Sequence, residues 1–237
     1  MSIIYCIAIT PMQHELVSPK GLLFDLDGTL LDTADDLACA LNRLLDEHGC
    51  STKSREHYRP IASHGAMGML KLGFPDIAFG SAAFEELRKR FLLYYAEQLF
   101  EHTRLFEGIG ELIETLDSQN IPWGIVTNKP THLTLPLLKQ FSEFNTAGTL
   151  ICGDTLTVRK PHPEPLLVAA SELNIPVSQL WYVGDAERDM QAARAAGMTA
   201  VLAEYGYICQ SEQPEQWVTD LRISHPNTLT KTVQHKI

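Results

Sequence analysis

Three short, unbroken apolar runs in this chain each end on a polar residue: GLLF before Asp25, WGIV before Thr127, and LWYVG before Asp185. A run without polar alternation suits a strand buried on both faces, the situation of a parallel sheet. Between and after the runs, HLTLPLLKQF, EPLLVAASELN and RDMQAARAAG space their apolar residues as helices do, and Gly197 supplies a stop for the last of them. Alternating strands and helices predict an α/β fold with a Rossmann-like, doubly wound parallel sheet. In such sheets ligands bind beyond the carboxyl ends of the strands, where all three polar clusters fall.

The region from Ala34 to Leu105 breaks this alternation. TADDLACALNRLLDEHG and FEELRKRFLLYYAEQLF place apolar residues three and four apart, so the region is expected to be helical throughout. The predicted organisation is a catalytic core from residues 1–33 and 106–237, with residues 34–105 inserted as an α-helical cap domain. An insertion directly after the first strand and its aspartates would stand over the strand ends. Residues 1 to about 19 precede the first strong strand, either as an extra strand or as an extension from an upstream start, with Met12 the natural beginning.

SIIYCIAIT, near the start, is apolar but too short to cross a bilayer, and no Lys or Arg precedes it as in a signal peptide. No membrane partner is expected. A net charge of -10 argues against nucleic acid as the main partner, because phosphate backbones call for a basic face. The five cysteines, Cys6, Cys39, Cys50, Cys152 and Cys209, form no CxxC pair and are odd in number. That favours a reducing, cytoplasmic setting, with Cys39 and Cys152 as inert thiols among apolar neighbours. The expected assembly is a monomer or homodimer.

The chemistry begins at LLFDLDGTLLDT, which sets Asp25 and Asp27 directly after a strand and follows them with Gly28 and Thr29. Carboxylates this close repel unless something compensates them, and a hard divalent cation with oxygen ligands, Mg²⁺, is the natural candidate. GDAERD brings Asp185 and Asp189 to the end of another strand. Thr127 and Asn128 offer a hydroxyl and an amide to phosphate oxygens, and Lys160 in RKPHPEP adds a positive charge to an otherwise acidic site. The chain has no G-x-x-x-x-G-K-[ST] loop for nucleotide phosphates.

In this order, DLDGTLLDT, IVTNKP, KPHPEP and VGDAERD resemble the four motifs of the haloacid dehalogenase superfamily, and the resemblance covers nearly the whole chain from Gly21 onward. It implies that Asp25 is a nucleophile forming an aspartyl-phosphate, and that Asp27 is the general acid and base. It also implies Mg²⁺ held by Asp25, Asp185 and the backbone carbonyl of Asp27, with Asp189 supporting the metal's water shell. Thr127 and Asn128 match the phosphate binders, and Lys160 matches the cation that neutralises nucleophile and phosphate. Dehalogenating members characteristically lack an aspartate at the position of Asp27, so the resemblance points to phosphate chemistry on a small phosphorylated metabolite.

Substrate choice is expected in the inserted helices. In IASHGAMGML, Ser63, His64 and Gly65 stand where similar phosphoglycolate phosphatases lower a glycine-containing loop toward the site. HTRLFEGIGELI, WGIVTNKP and AEYGYICQSEQPEQW are similar to N-acetylmuramic acid 6-phosphate phosphatases. Both substrates remain open. A sugar phosphomutase on the same scaffold, and a non-catalytic phosphate- or metal-binding module, are the alternatives from other classes.

Overall fold

The structure, a computed structural model, describes residues 18–234, so the question of the first residues lies almost wholly outside the described ones. Its centre is a six-stranded parallel sheet in the order β5-β4-β1-β6-β7-β8. The strands are β1 (Gly21–Phe24), β4 (Trp123–Val126), β5 (Thr149–Ile151), β6 (Leu180–Gly184), β7 (Thr199–Ala203) and β8 (Leu221–Ile223). The chain starts in the middle, builds β4 and β5 to one side, then returns to lay β6, β7 and β8 on the other. The order therefore reverses at β1, which opens a crevice beyond the ends of β1, β4 and β6.

β1, β4 and β6 are buried along their whole length. Successive side chains of a strand point to opposite faces. Leu22 and Phe24 thus join one core with Leu112 and Leu116 of α5 (Ile109–Ser118) and Val233 of α9 (Asn227–Gln234). Leu23 points the other way, into a core with Leu166 of α7 (Glu164–Glu172) and Met190 of α8 (Glu187–Ala196). Both faces are covered by helices, which is why these runs need no polar alternation. α8 ends on Gly197 at φ 77°, a left-handed stop that glycine adopts without a Cβ penalty. The remaining helix of the sheet layers, α6 (Thr131–Leu138), follows β4.

Between β1 and β4 the chain leaves through β2 (Leu31–Asp32) and comes back through β3 (Arg104–Leu105), paired antiparallel as a two-stranded ribbon. The ribbon carries α1 (Ala34–Glu47), α2 (Arg55–Tyr58), α3 (Gly65–Gly73) and α4 (Ala82–Glu97). The expectation of a region helical throughout is corrected here: Arg104 and Leu105 are a strand, and a 3₁₀ turn over Arg59–His64 leads into α3. Leu41 and Leu45 of α1, Leu70 of α3 and Phe91 of α4 pack into a separate core, which Leu133 of α6 and Tyr207 also join. Asp36 on α1 closes the ribbon's base by accepting bonds from the N–H groups of His102 and Thr103 and from the Thr103 hydroxyl.

Candidate active site

The end of β1 carries the centre of the site. Gly28 turns the chain back at φ +86°, and a Cβ there would lie 2.0 Å from Asp185 Oδ2. Only glycine fits, so the Asp-Gly pairing both makes the turn and lets the carboxylate at the end of β6 approach the β1 loop. The result is a buried group of three aspartates, Asp25, Asp185 and Asp189, whose carboxylate oxygens lie within 4.8 Å of one another.

Two cations oppose them. Lys160 Nζ lies 2.9 Å from Asp25 Oδ1 and 2.9 Å from Asp189 Oδ1, and donates to the Val126 carbonyl and the Tyr182 hydroxyl. Arg188 Nη2 stands 3.7 Å from Asp25 Oδ2 and donates 2.8 Å to the Ser63 carbonyl. Three carboxylates against two cations leave an excess of negative charge, and an all-oxygen donor set fits a hard divalent cation such as Mg²⁺.

Burial raises the carboxyl of Asp25 above the usual aspartate range even though Lys160 pulls it down. Asp185 is pushed up to about 7 by burial, with Asp189 and Asp25 adding to the effect. For Asp189, burial works upward, but Lys160 and Arg188 outweigh it and hold the group below its ordinary value. Asp189 therefore stays ionised, and its Oδ2 also accepts the Ala186 N–H at 3.0 Å at the start of α8.

Asp27 stands outside the three-aspartate group. Its Oδ1 accepts the Thr33 hydroxyl at 2.7 Å and Lys129 Nζ at 3.0 Å. Lys129 is itself buried against the Tyr95 hydroxyl of α4 at 2.7 Å. Burial disfavours the charge on Lys129, but Asp27 and Tyr95 outweigh it and hold the lysine above its ordinary pKa. Thr127 Oγ1 accepts the Lys129 N–H at 3.1 Å, which leaves its own proton to donate. Asn128 is bound to the protein instead: its amide donates to the Lys160 carbonyl and accepts from the Lys160 N–H. In this structure that amide fastens the Lys160 loop to the end of β4.

A cavity of about 410 Å³ opens over these groups, lined on one side by Asp25, Asp27, Thr127 and Lys160 and on the other by helical residues, including Ser63, His64 and Gly65. Ser63 Oγ donates to Asp185 Oδ1 at 3.2 Å, and His64 Nε2 lies 2.6 Å from Glu212. Gly65 begins α3 at φ 56°. All three border the cavity, but the partners of Ser63 and His64 are protein side chains. Sequence reasoning assigned nothing to Lys129, Arg188 or Tyr207. The first two sit inside the quoted motifs beside assigned residues, and Tyr207 lies in the YGY stretch. Tyr207 donates its N–H to Asp185 Oδ2 at 2.9 Å, while its hydroxyl reaches Asp32 Oδ1 at 2.8 Å and accepts the N–H of Ala34 at 3.0 Å.

Residues 22–203 match the haloacid dehalogenase-like hydrolase family. The chain is 42% identical over 211 residues to a phosphoglycolate phosphatase of Xanthomonas campestris pv. campestris, covering 89% of this chain and 95% of that one. It is 36% identical over 217 residues to an N-acetylmuramic acid 6-phosphate phosphatase of Pseudomonas putida, covering 90% and 96%. Among solved structures, a predicted phosphoglycolate phosphatase from Haemophilus somnus superposes with TM-score 0.78 at 27% identity, covering 92% of this chain and 100% of the other. Among the described residues no helix is long and apolar enough to cross a membrane.

Proposed function

The chain belongs to the haloacid dehalogenase-like hydrolases, and from that premise we propose that it is a Mg²⁺-dependent phosphomonoesterase working through an aspartyl-phosphate on a small phosphorylated metabolite. The observation that carries this reading is the pairing of a buried, lysine-held carboxylate, Asp25, with a second carboxylate, Asp27, held apart from it by Thr33 and Lys129. In this reading one side chain attacks and the other moves a proton.

In the first half-reaction an oxygen of Asp25 attacks phosphorus in line while Asp27 gives its proton to the departing alkoxide. In the second, Asp27 takes a proton from water, which attacks the phosphorus of the acyl phosphate and frees Asp25. Lys160 stabilises negative charge on nucleophile and phosphoryl oxygens, and the Thr127 hydroxyl donates to one of those oxygens. Asp25, Asp185 and Asp189, with the backbone carbonyl of Asp27, would hold Mg²⁺. When bound, the metal supplies positive charge that stabilises the phosphoryl oxygens. The helices over the cavity act as a cap that limits water.

Two substrates follow from the relatives: 2-phosphoglycolate and N-acetylmuramic acid 6-phosphate. Hydrolysis of the two side by side, with Mg²⁺ and with chelator, tests the reading. Chelator-sensitive release of phosphate from at least one supports it, and the larger kcat/KM identifies the class. Turnover of neither, or turnover indifferent to the metal, would refute it.

A further inference from the structure

We propose that the cavity contains a second anionic subsite, formed by Arg88 of α4 and Arg159 of the loop before Lys160, which binds a carboxylate of the substrate remote from its phosphate. This rests on the phosphatase reading above and adds to it the residues that select the substrate.

Five cationic side chains border the cavity, Arg88, Lys129, Arg159, Lys160 and Arg188, against two carboxylates, Asp25 and Asp27, in a chain whose net charge is -10. Three of the five are already matched. Lys160 is held between Asp25 and Asp189, Lys129 lies on Asp27, and Arg188 faces Asp25. Arg88 has only the half-buried Glu85, 3.6 Å away and one turn back on the same helix. A pair of that kind contributes little and yields readily to a better partner. The Arg159 carbonyl accepts the His162 N–H at 2.9 Å, but its guanidinium has no hydrogen-bond or ion-pair partner among the described residues.

A phosphoryl group is served by Lys160, Thr127 and the metal. Two further guanidinium groups, one from each unit enclosing the cavity, exceed what it requires. Guanidinium is the planar donor that matches a carboxylate through two parallel bonds. The rest of the lining includes Met67, Phe91, Leu92 and Leu133, which suits an uncharged body between two anionic ends. 2-Phosphoglycolate and N-acetylmuramic acid 6-phosphate both have this form: each carries one carboxylate besides the phosphate. They differ in its distance from phosphorus.

Matched esters test the subsite. 2-Phosphoglycolate is compared with 2-hydroxyethyl phosphate, and N-acetylmuramic acid 6-phosphate with N-acetylglucosamine 6-phosphate, which lacks the lactyl carboxylate. kcat/KM is measured for the wild type, Arg88→Met and Arg159→Met. In at least one pair the wild type is expected to favour the carboxylated ester by about tenfold or more, the worth of a charge-assisted pair. Each substitution should lower that ratio several-fold, mainly through KM, and leave the carboxylate-free ester within about threefold of wild type. The carboxylate-free ester also reports folding, since a misfolded variant loses both. Equal wild-type efficiency within both pairs, or equal losses on both esters of the favoured pair, would overturn the subsite while leaving the phosphatase reading intact. Turnover of none of the four esters would refute that reading and the subsite with it.

Discussion

Lys160 Nζ stands at the same distance, 2.9 Å, from Asp25 Oδ1 and from Asp189 Oδ1, with all three side chains buried. One ammonium therefore separates Asp25, the proposed nucleophile, from a carboxylate that would otherwise repel it. Lys160→Met should lower kcat by about a hundredfold or more. It should also destabilise the metal-free protein by about 3 kcal/mol, because carboxylates buried without their cation are costly. Added Mg²⁺ should recover more of the melting temperature in Lys160→Met than in wild type, since the metal replaces lost positive charge. Thermal unfolding with chelator and with Mg²⁺ checks this, and equal shifts in both proteins would contradict it.

Burial pushes Asp185 up to about 7 from an ordinary 3.8, so between those values the folded, metal-free protein holds a proton that the unfolded chain has released. The stabilisation from that proton is complete below about pH 4 and is lost as pH rises through about 7. Asp25, also raised, acts in the same direction. Melting of the metal-free protein should fall across this window relative to Asp185→Asn, which cannot release the proton. Metal must displace it, so Mg²⁺ affinity should rise with pH to about 7 and then level off. Melting curves of the two proteins at several pH values, paired with Mg²⁺ titrations, would run parallel, with Mg²⁺ affinity flat across the window, if Asp185 were ionised throughout.

Tyr207 ties the site to the root of the helical segment. Its hydroxyl accepts the N–H groups of Thr33 and Ala34, and the Thr33 side chain in turn holds Asp27. Tyr207→Phe leaves two buried N–H donors without that acceptor, at a cost of about 1–3 kcal/mol in stability. If Asp27 is the general acid proposed, the effect on rate should follow the leaving group: several-fold or more on an alkyl phosphate, whose alkoxide must be protonated, and little on p-nitrophenyl phosphate. Equal losses on both esters would show that Tyr207 does not act through Asp27.

Much of the fold is written in local pattern. The unbroken runs at Leu22, Trp123 and Leu180 mark central strands because each residue there faces a helix layer, and Gly197 marks the end of α8 by its conformation alone. β2 and β3 are two residues each, too short to show a period, and exist only because the chain must leave and re-enter the core at one place. The site divides in the same way. Asp25, Asp185 and Lys160 converge because the reversal of strand order at β1 brings their loops together. Lys129 reads locally as a surface lysine, and only the packing of α4 places Tyr95 over it. Tyr207 is separated from Thr33 by 174 residues, a pairing no local spacing could reveal. Asn128 looks free to bind phosphate until its bonds to the Lys160 backbone are seen.

The claim on which the rest depends is that Asp25 carries the phosphoryl group. The most direct measurement is rapid acid quenching of the enzyme during turnover of a substrate labelled in its phosphoryl group, followed by peptide mapping with wild type and Asp25→Asn. The account predicts a base-labile phosphoryl group on the peptide containing Asp25, absent from Asp25→Asn together with hydrolysis. A label on any other residue, or continued turnover by Asp25→Asn, would contradict it.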